Sequence, residues 1–282
     1  MSRFPIDGSR VVVTGAGSGI GRATALRFAG MGATVACVDI DGDAADRTAV
    51  ACRDRRPTTP AASAWTCDVA DAAAVAALAD AIEDEGPVDV LVNNAGVGIA
   101  GPFLESAVED WDWLMGINLD GVAYGSRAFG ARMVDRGRGH VVNVASGAAY
   151  AMSRDMAAYC ASKAAVVAFS RCLRADWAAA GVGVSAICPG VINTPIATRT
   201  RMVGPVAERQ QRIADAFRFG HSPDLVARAI ARAVARNDEL VPVGLESAIA
   251  YRLLPVVPKP VQALATRASL ARVFAGVRGG RA

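Results

Sequence analysis

Histidine is nearly absent from this chain. His140 and His221 are the only two, and the six cysteines (Cys37, Cys52, Cys67, Cys160, Cys172 and Cys188) show no CxxC spacing. Without a Cys/His cluster a zinc site is not expected, and no metal is assigned. Cys37, Cys67 and Cys188 fall in or beside apolar strand-like runs, which reads as reduced core thiol and not as a disulfide framework. No run approaches the roughly 20 apolar residues that span a bilayer. The opening MSRFPIDGSR lacks the apolar centre of a signal peptide, so a cytoplasmic protein without a transmembrane segment is expected. Acids are missing beyond Glu246, where six bases follow: Arg252, Lys259, Arg267, Arg272, Arg278 and Arg281. The overall charge of +3 is thus a basic end on a body of −3, too little to argue for nucleic acid. Aromatics are scarce at 6%, while small Ala, Gly and Val are plentiful, a composition suited to helices lying close on a parallel sheet.

What is present fits a packed globular chain, 52% hydrophobic and 20% charged. Its 282 residues suffice for one large α/β domain. Strand-like runs at 10–15, 33–39, 63–68, 88–94, 140–146, 182–189 and 239–243 alternate with Ala-rich helical stretches near 19–31, 42–55, 71–85, 106–136, 157–180 and 222–236. The runs lack polar alternation, as strands buried on both faces do. The expected fold is α/β, a doubly wound Rossmann-type parallel sheet of about seven strands in a single domain over 1–243. Within it, 195–221 has the place of a substrate lid. Residues 244–282 form a basic C-terminal tail, partly helical, broken by Pro255, Pro258 and Pro260, with a helix expected from about Val261 to Phe274. Three readings of the tail stay open: an oligomer contact, a contact with an anionic membrane surface, or a partly disordered end.

The first strand runs into TGAGSGIGRA. Glycines here let the backbone of Gly15, Ser18, Gly19 and Ile20 approach an anion, and the helix that follows points its positive dipole end at it. Asp39 closes the next strand 18 residues after Gly21. That is close to the roughly 20 expected of an acid that bonds a ribose 2′-hydroxyl. A carboxylate there repels a 2′-phosphate, and no base stands beside it, so NAD(H) is expected over NADP(H).

Farther on, AYCASKAAVVAF sets Tyr159 and Lys163 four positions apart, on one face of a helix with Cβ atoms about 6 Å apart. An ammonium beside a phenol favours the phenolate, and together with the positive ring of an oxidised nicotinamide it is expected to bring Tyr159 down toward a useful acid/base. Ser146 ends the fifth strand, where its hydroxyl can bond the same substrate oxygen. Asn118 lies inside the helical stretch 106–136, where a buried amide needs partners.

TGAGSGIG, NNAG at 93–96, Ser146 with Tyr159-x-x-x-Lys163, and PGVINT at 189–194 together resemble the signatures of the short-chain dehydrogenase/reductase family, in its short branch. The resemblance covers about residues 8–243 in order and spacing, and the chain is also similar to dehydrogenase modules found fused to α/β-hydrolase domains. It implies hydride transfer between an alcohol and a nicotinamide, with Tyr159 as acid/base, Ser146 on the substrate oxygen, Lys163 on the nicotinamide ribose and Asn118 holding a relay water. Position and resemblance together put Asp68 and Val69 at the adenine and Asn94, Ala95 and Gly96 at the adenosine ribose. They put Pro189, Gly190 and Ile192 at the nicotinamide, and Thr194 on its carboxamide or a phosphate. A homotetramer or homodimer is implied as well. Tyr150, Met152 and Met156, with Ile196, Met202, Val203, Phe217 and Phe219 of the lid, suggest a bulky apolar secondary alcohol or ketone, unless they pack against the body or a neighbour. Arg199, Arg201, Arg209, Arg212 and Arg218 either meet a carboxylate or phosphate or form a solvated face. Two rival readings are an NAD(H)-binding sensor without turnover and an NAD-using epimerase or dehydratase.

Overall fold

Strands rich in β-branched residues and covered on both sides build the centre of the molecule. The structure is a computed structural model and describes residues 4–55 and 62–267. In chain order its larger elements are β1 (Arg10–Thr14), α1 (Gly19–Gly30), β2 (Thr34–Asp39), α2 (Gly42–Arg55), β3 (Ser63–Thr66), α3 (Ala72–Asp84), β4 (Val90–Asn93) and β5 (Ile99–Ala100). There follow α4 (Val108–Met115), α5 (Gly121–Arg136), β6 (Gly139–Val144), α6 (Ala157–Trp177) and β7 (Val182–Pro189). The rest are α7 (Ile196–Arg199), β8 (Arg201–Met202), α8 (Gln210–Phe217), α9 (Pro223–Arg236), β9 (Leu240–Val243), α10 (Leu245–Leu253) and α11 (Lys259–Thr266).

Seven strands form one parallel sheet in the order β3-β2-β1-β4-β6-β7-β9. In register, Val12 of β1 lies between Ala36 of β2 and Leu91 of β4. The chain therefore builds outward on one side of β1, then returns to build on the other. This leaves a crevice at the carboxyl ends of β1 and β4, where such sheets take ligands. One face of the sheet is covered by α1, α2 and α9 through Phe28, Cys52, Val226 and Ile230; the other is covered by α3 and α5 through Leu78, Ile82, Phe129 and Met133. Local signals set the helix ends. Asp71 accepts from the N–H groups of Ala73 and Ala74 to start α3, and Ser222 with Pro223 starts α9, which ends on left-handed Asn237 at φ 56°.

Two features differ from the expected elements. The helical stretch 106–136 is broken by a π-helical turn, Gly116–Asp120, between α4 and α5. The helix expected near Val261 begins at Lys259 and ends at Thr266; its expected continuation to Phe274 lies outside the described residues. A second, two-residue pairing of β5 with β8 ties the loop after β4 to the segment after β7. Among the described residues no helix is long and apolar enough to cross a membrane.

Candidate functional site

The loops after β1 and β4 are stitched together. Thr14 Oγ1 accepts from the N–H groups of Asn94 (3.0 Å) and Ala95 (3.1 Å), and Asn94 Nδ2 donates to the Thr14 carbonyl at 2.8 Å. Gly21 allows α1 to come up beneath the turn, since a Cβ there would stand 2.0 Å from the Gly15 carbonyl oxygen. Ser18 stands at the N-cap of α1 but makes no side-chain capping bond, so its hydroxyl is not committed to the helix. Asp39 Oδ2 accepts from the Gly17 N–H at 2.8 Å, and Oδ1 accepts from the Asp41 N–H at 3.0 Å. The carboxylate thus braces the glycine turn from the end of β2.

Helix α6 supplies the opposite wall. Lys163 is 4% exposed, and its Nζ donates to the Val144 carbonyl at 3.1 Å. The ammonium lies 5.9 Å from the centre of the Tyr159 ring. Ser146 Oγ accepts from the Ala148 N–H at 3.1 Å, capping a short turn, and it also hydrogen-bonds Tyr159. Burial pushes the Tyr159 phenol up, with the Ser146 bond pulling the other way, and burial pushes Lys163 down to about 8. Burial is therefore the dominant influence on the Tyr159 phenol in the protein alone. Desolvation is the larger influence on both groups, and the ammonium is directed at the Val144 carbonyl.

Asn118 sits in the π turn and is fully buried. Its Oδ1 accepts from the Val97 N–H at 2.8 Å, while its Nδ2 donates to the Val97 carbonyl (3.0 Å) and to Ser162 Oγ (3.2 Å). A Cβ on Gly96 would stand 3.2 Å from Asn118 Oδ1 and 3.3 Å from Lys163 Nζ. The glycine leaves a small space between the two that any other residue would fill.

One cavity of about 510 Å³ runs between these walls. It is lined by Gly15, Ser18, Gly19, Ile20 and Asp39 at one end, by Asp68, Val69, Asn94, Ala95 and Gly96 along its floor, and by Ser146, Tyr159 and Lys163 beyond. Pro189, Gly190, Ile192 and Thr194 complete it. Asn118 alone of the expected site residues does not line it and stands behind Gly96. Of the side chains expected to face substrate, Met156, Ile196, Met202 and Phe217 line this cavity. Tyr150 does not, because its hydroxyl bonds Ser247 and its ring packs on Tyr251. Met152 and Phe219 are exposed to solvent, and Val203 packs on Gly101. Arg199 lines the cavity and donates to Ser18 Oγ at 3.4 Å, whereas Arg201 pairs with Asp110 and stacks on Trp113.

Sequence reasoning missed the contribution of α10. Glu246 Oε1 accepts from the Val191 N–H at 2.8 Å, its Oε2 meets His221 Nε2 at 3.0 Å, and Ser247 Oγ donates to the Cys188 carbonyl at 2.7 Å. Glu246, Ser247 and Ala250 all line the cavity. The one available signal was that Glu246 is the last acid before an acid-free stretch.

The walls fit a dinucleotide: a glycine turn with free backbone approach, an acid at the end of β2, and a buried phenol and ammonium at the far end. The family model for short chain dehydrogenase matches residues 9–202. "Probable oxidoreductase EphD" of Mycobacterium tuberculosis is 44% identical over 264 residues, which cover 90% of this chain and 44% of that protein; the chain thus spans less than half the length of that relative. D-threitol dehydrogenase of Mycolicibacterium smegmatis is 40% identical over 80% of this chain and 86% of its own. Among solved structures, a short chain dehydrogenase/reductase from Burkholderia phymatum in complex with NAD superposes with a TM-score of 0.81 at 33% identity, covering 94% of this chain and 98% of that one.

Proposed function

The chain belongs to the short-chain dehydrogenase/reductase family, and from that premise we propose that it is an NAD(H)-dependent oxidoreductase interconverting a secondary alcohol and a ketone. The observation that carries this reading is the placement of Ser146, Tyr159 and Lys163 on the wall of the same cavity that ends at the glycine turn and Asp39. The relative named for D-threitol and the NAD-bound neighbour point the same way.

A nicotinamide dinucleotide held here supplies the hydride acceptor or donor. Gly15, Ser18, Gly19 and Ile20 would face its phosphates, Asp39 its adenosine ribose hydroxyls, Asp68 and Val69 its adenine, and Asn94, Ala95 and Gly96 the nearby sugar. Lys163 would bond the nicotinamide ribose, with Pro189, Gly190, Ile192 and Thr194 around the ring. NAD(H) is preferred because Asp39 opposes a 2′-phosphate and no base flanks it. Ser146 donates to the substrate oxygen. Tyr159 takes the hydroxyl proton as the carbinol C–H bond breaks, and returns it to the carbonyl oxygen in reduction. Tyr159 has to be the phenolate before it takes that proton and becomes the phenolate again when it gives one up in reduction; Lys163 stabilises this form, offsetting the burial that holds the phenol up, and Asn118 keeps a proton path open past Gly96. The segment 195–221 serves as the lid, since Ile196, Met202, Ile213 and Phe217 close the substrate end with apolar surface. A bulky apolar alcohol or ketone suits that lining.

Replacing Tyr159 by Phe removes the proton acceptor and leaves the nucleotide end untouched. The expected result is a loss of turnover of at least about 10³-fold in a screen of secondary alcohols, with NADH binding within about twofold of the parent by fluorescence titration. Retained turnover refutes the role of Tyr159; NADH binding with no turnover by the parent protein on any alcohol or ketone favours a sensor.

A further inference from the structure

The last two helices among the described residues, α10 and α11, carry a stripe of apolar residues turned to solvent. Leu245, Ile249, Leu253 and Val256 follow at spacings of four, four and three along α10 and the turn after it, and Val261 and Leu264 repeat the spacing of three on α11. These six are between 47% and 76% exposed. Scattered exposed apolar residues are ordinary; four at helical spacing along α10 and the turn after it, with two more on the helix that follows, are the mark of an interaction surface. The row is fixed to the body. On the other side of α10, Ser247 is buried and bonded to the Cys188 carbonyl, and Glu246 holds the Val191 N–H. Gln262 Nε2 donates to the carbonyls of Leu254 and Val257, both at 2.7 Å, and the Arg154 N–H donates to the Thr266 carbonyl at 3.0 Å.

We propose that this face docks on an anionic lipid bilayer. The charge around the stripe selects the occupant. Arg252 and Lys259 are exposed on the same two helices and Arg267 just after them, and beyond Glu246 the sequence holds no acid. Apolar side chains flanked by an excess of bases are the signature of a helix lying in the plane of a membrane interface; Glu246, the one acid on these two helices, is turned to Val191 and His221. A second copy of this chain is a poor occupant. A two-fold contact through the stripe adds base to base, and the one acid on these helices, Glu246, is already bonded to Val191 and His221. The surface is independent of the enzymatic reading, although Ser247 and Ala250 of the same helix line the cavity. A docked molecule therefore holds its substrate end within about one helix diameter, roughly 10 Å, of the lipid.

The test is co-sedimentation of the full chain with vesicles of phosphatidylcholine alone or of phosphatidylcholine with phosphatidylglycerol. The expected result is binding to the anionic vesicles only, lost near 1 M salt, where screening shortens to about 3 Å. Arg252→Ala and Lys259→Ala should each lower partitioning by up to about fivefold, and Ile249→Asp with Val256→Asp should abolish it. Because the two single Ala variants remove only exposed charge, they report on the surface even if the double Asp variant fails to fold. Absence of sedimentation, or binding unchanged in the Ala variants, overturns the proposal. So does light scattering in which Ile249→Asp with Val256→Asp halves the solution mass, a result that assigns the stripe to a second copy. Loss of vesicle binding with NADH affinity intact leaves the oxidoreductase reading untouched, and the converse holds as well.

Discussion

At the residue scale the most informative side chain is Asp39, because it does two things with one carboxylate. Its Oδ2 already accepts the Gly17 N–H, so the turn that approaches the phosphates is braced by the group proposed to select the ribose. Replacing Asp39 by Ala should therefore weaken NADH binding by more than the loss of a ribose contact alone. Two lost hydrogen bonds at about 1 kcal/mol each give roughly 30-fold, and slackening of the turn adds to this. NADPH binding should tighten, since the repulsion of a 2′-phosphate is gone. Parallel fluorescence titrations with the two nucleotides check this, and an unchanged ratio of affinities would remove Asp39 from the selection. Tyr159 and Lys163 teach a related lesson. Their spacing was legible, but the weight of desolvation on the phenol and the ammonium was not, because burial is a property of the folded surroundings.

At the scale of elements, the junction of β1 with α1 depends on close backbone approach. Gly21 and Gly30 lie in the same helix with opposite surroundings. A Cβ at Gly21 meets the Gly15 carbonyl oxygen at 2.0 Å and Asn94 Nδ2 at 2.6 Å, whereas a Cβ at Gly30 meets nothing within 4 Å. Gly21→Ala should push α1 from the turn, cost about 1–3 kcal/mol and abolish NADH binding. Gly30→Ala should leave binding unchanged and stabilise by up to about 1 kcal/mol through reduced chain entropy. Thermal melts and NADH titrations on both variants test the pair, and equal effects would contradict it. The seven main strands and most helices could be read beforehand because their signals are local: β-branched runs, Ala-rich helical stretches, glycines at turns. The π turn at Gly116–Asp120 could not, since GINLD contains no residue that forbids an α-helix and the widening serves Asn118, whose partners Val97 and Ser162 are 21 and 44 residues away. The β5–β8 pairing is too short for any periodicity to show. Glu246 escaped for the same reason as Asn118: its contact with Val191 spans 55 positions.

At the scale of the whole molecule, stability should depend on pH through a group far from the cavity. His140 lies on β6, 1% exposed, with Nε2 at 2.9 Å from Ser185 Oγ. Ser185 gives its own proton to the Asp238 carbonyl, so the hydroxyl oxygen receives from His140 and the ring is held neutral with its proton on Nε2. Burial first, and the nearby Arg174 second, pull His140 from an ordinary 6.5 down to about 3. Between those values the unfolded chain binds a proton that the native state refuses. Native stability is therefore fully present above pH 6.5 and falls as the pH drops toward 3, with a slope approaching about 1.4 kcal/mol per unit from this one group. Lys163 acts in a separate window: lowered to about 8 from 10.5, it makes stability rise with pH between those values. Most carboxylates titrate below about pH 5, so the interval from 6.5 to 5 isolates the histidine. Urea unfolding across that interval should show the decline in the parent protein. A His140→Gln variant keeps an amide N–H for Ser185 but has no proton to gain, and its stability should stay flat over the same range, whatever its absolute value. If parent and variant lose stability in parallel between pH 6.5 and 5, the buried ring is not the group that couples the fold to acid.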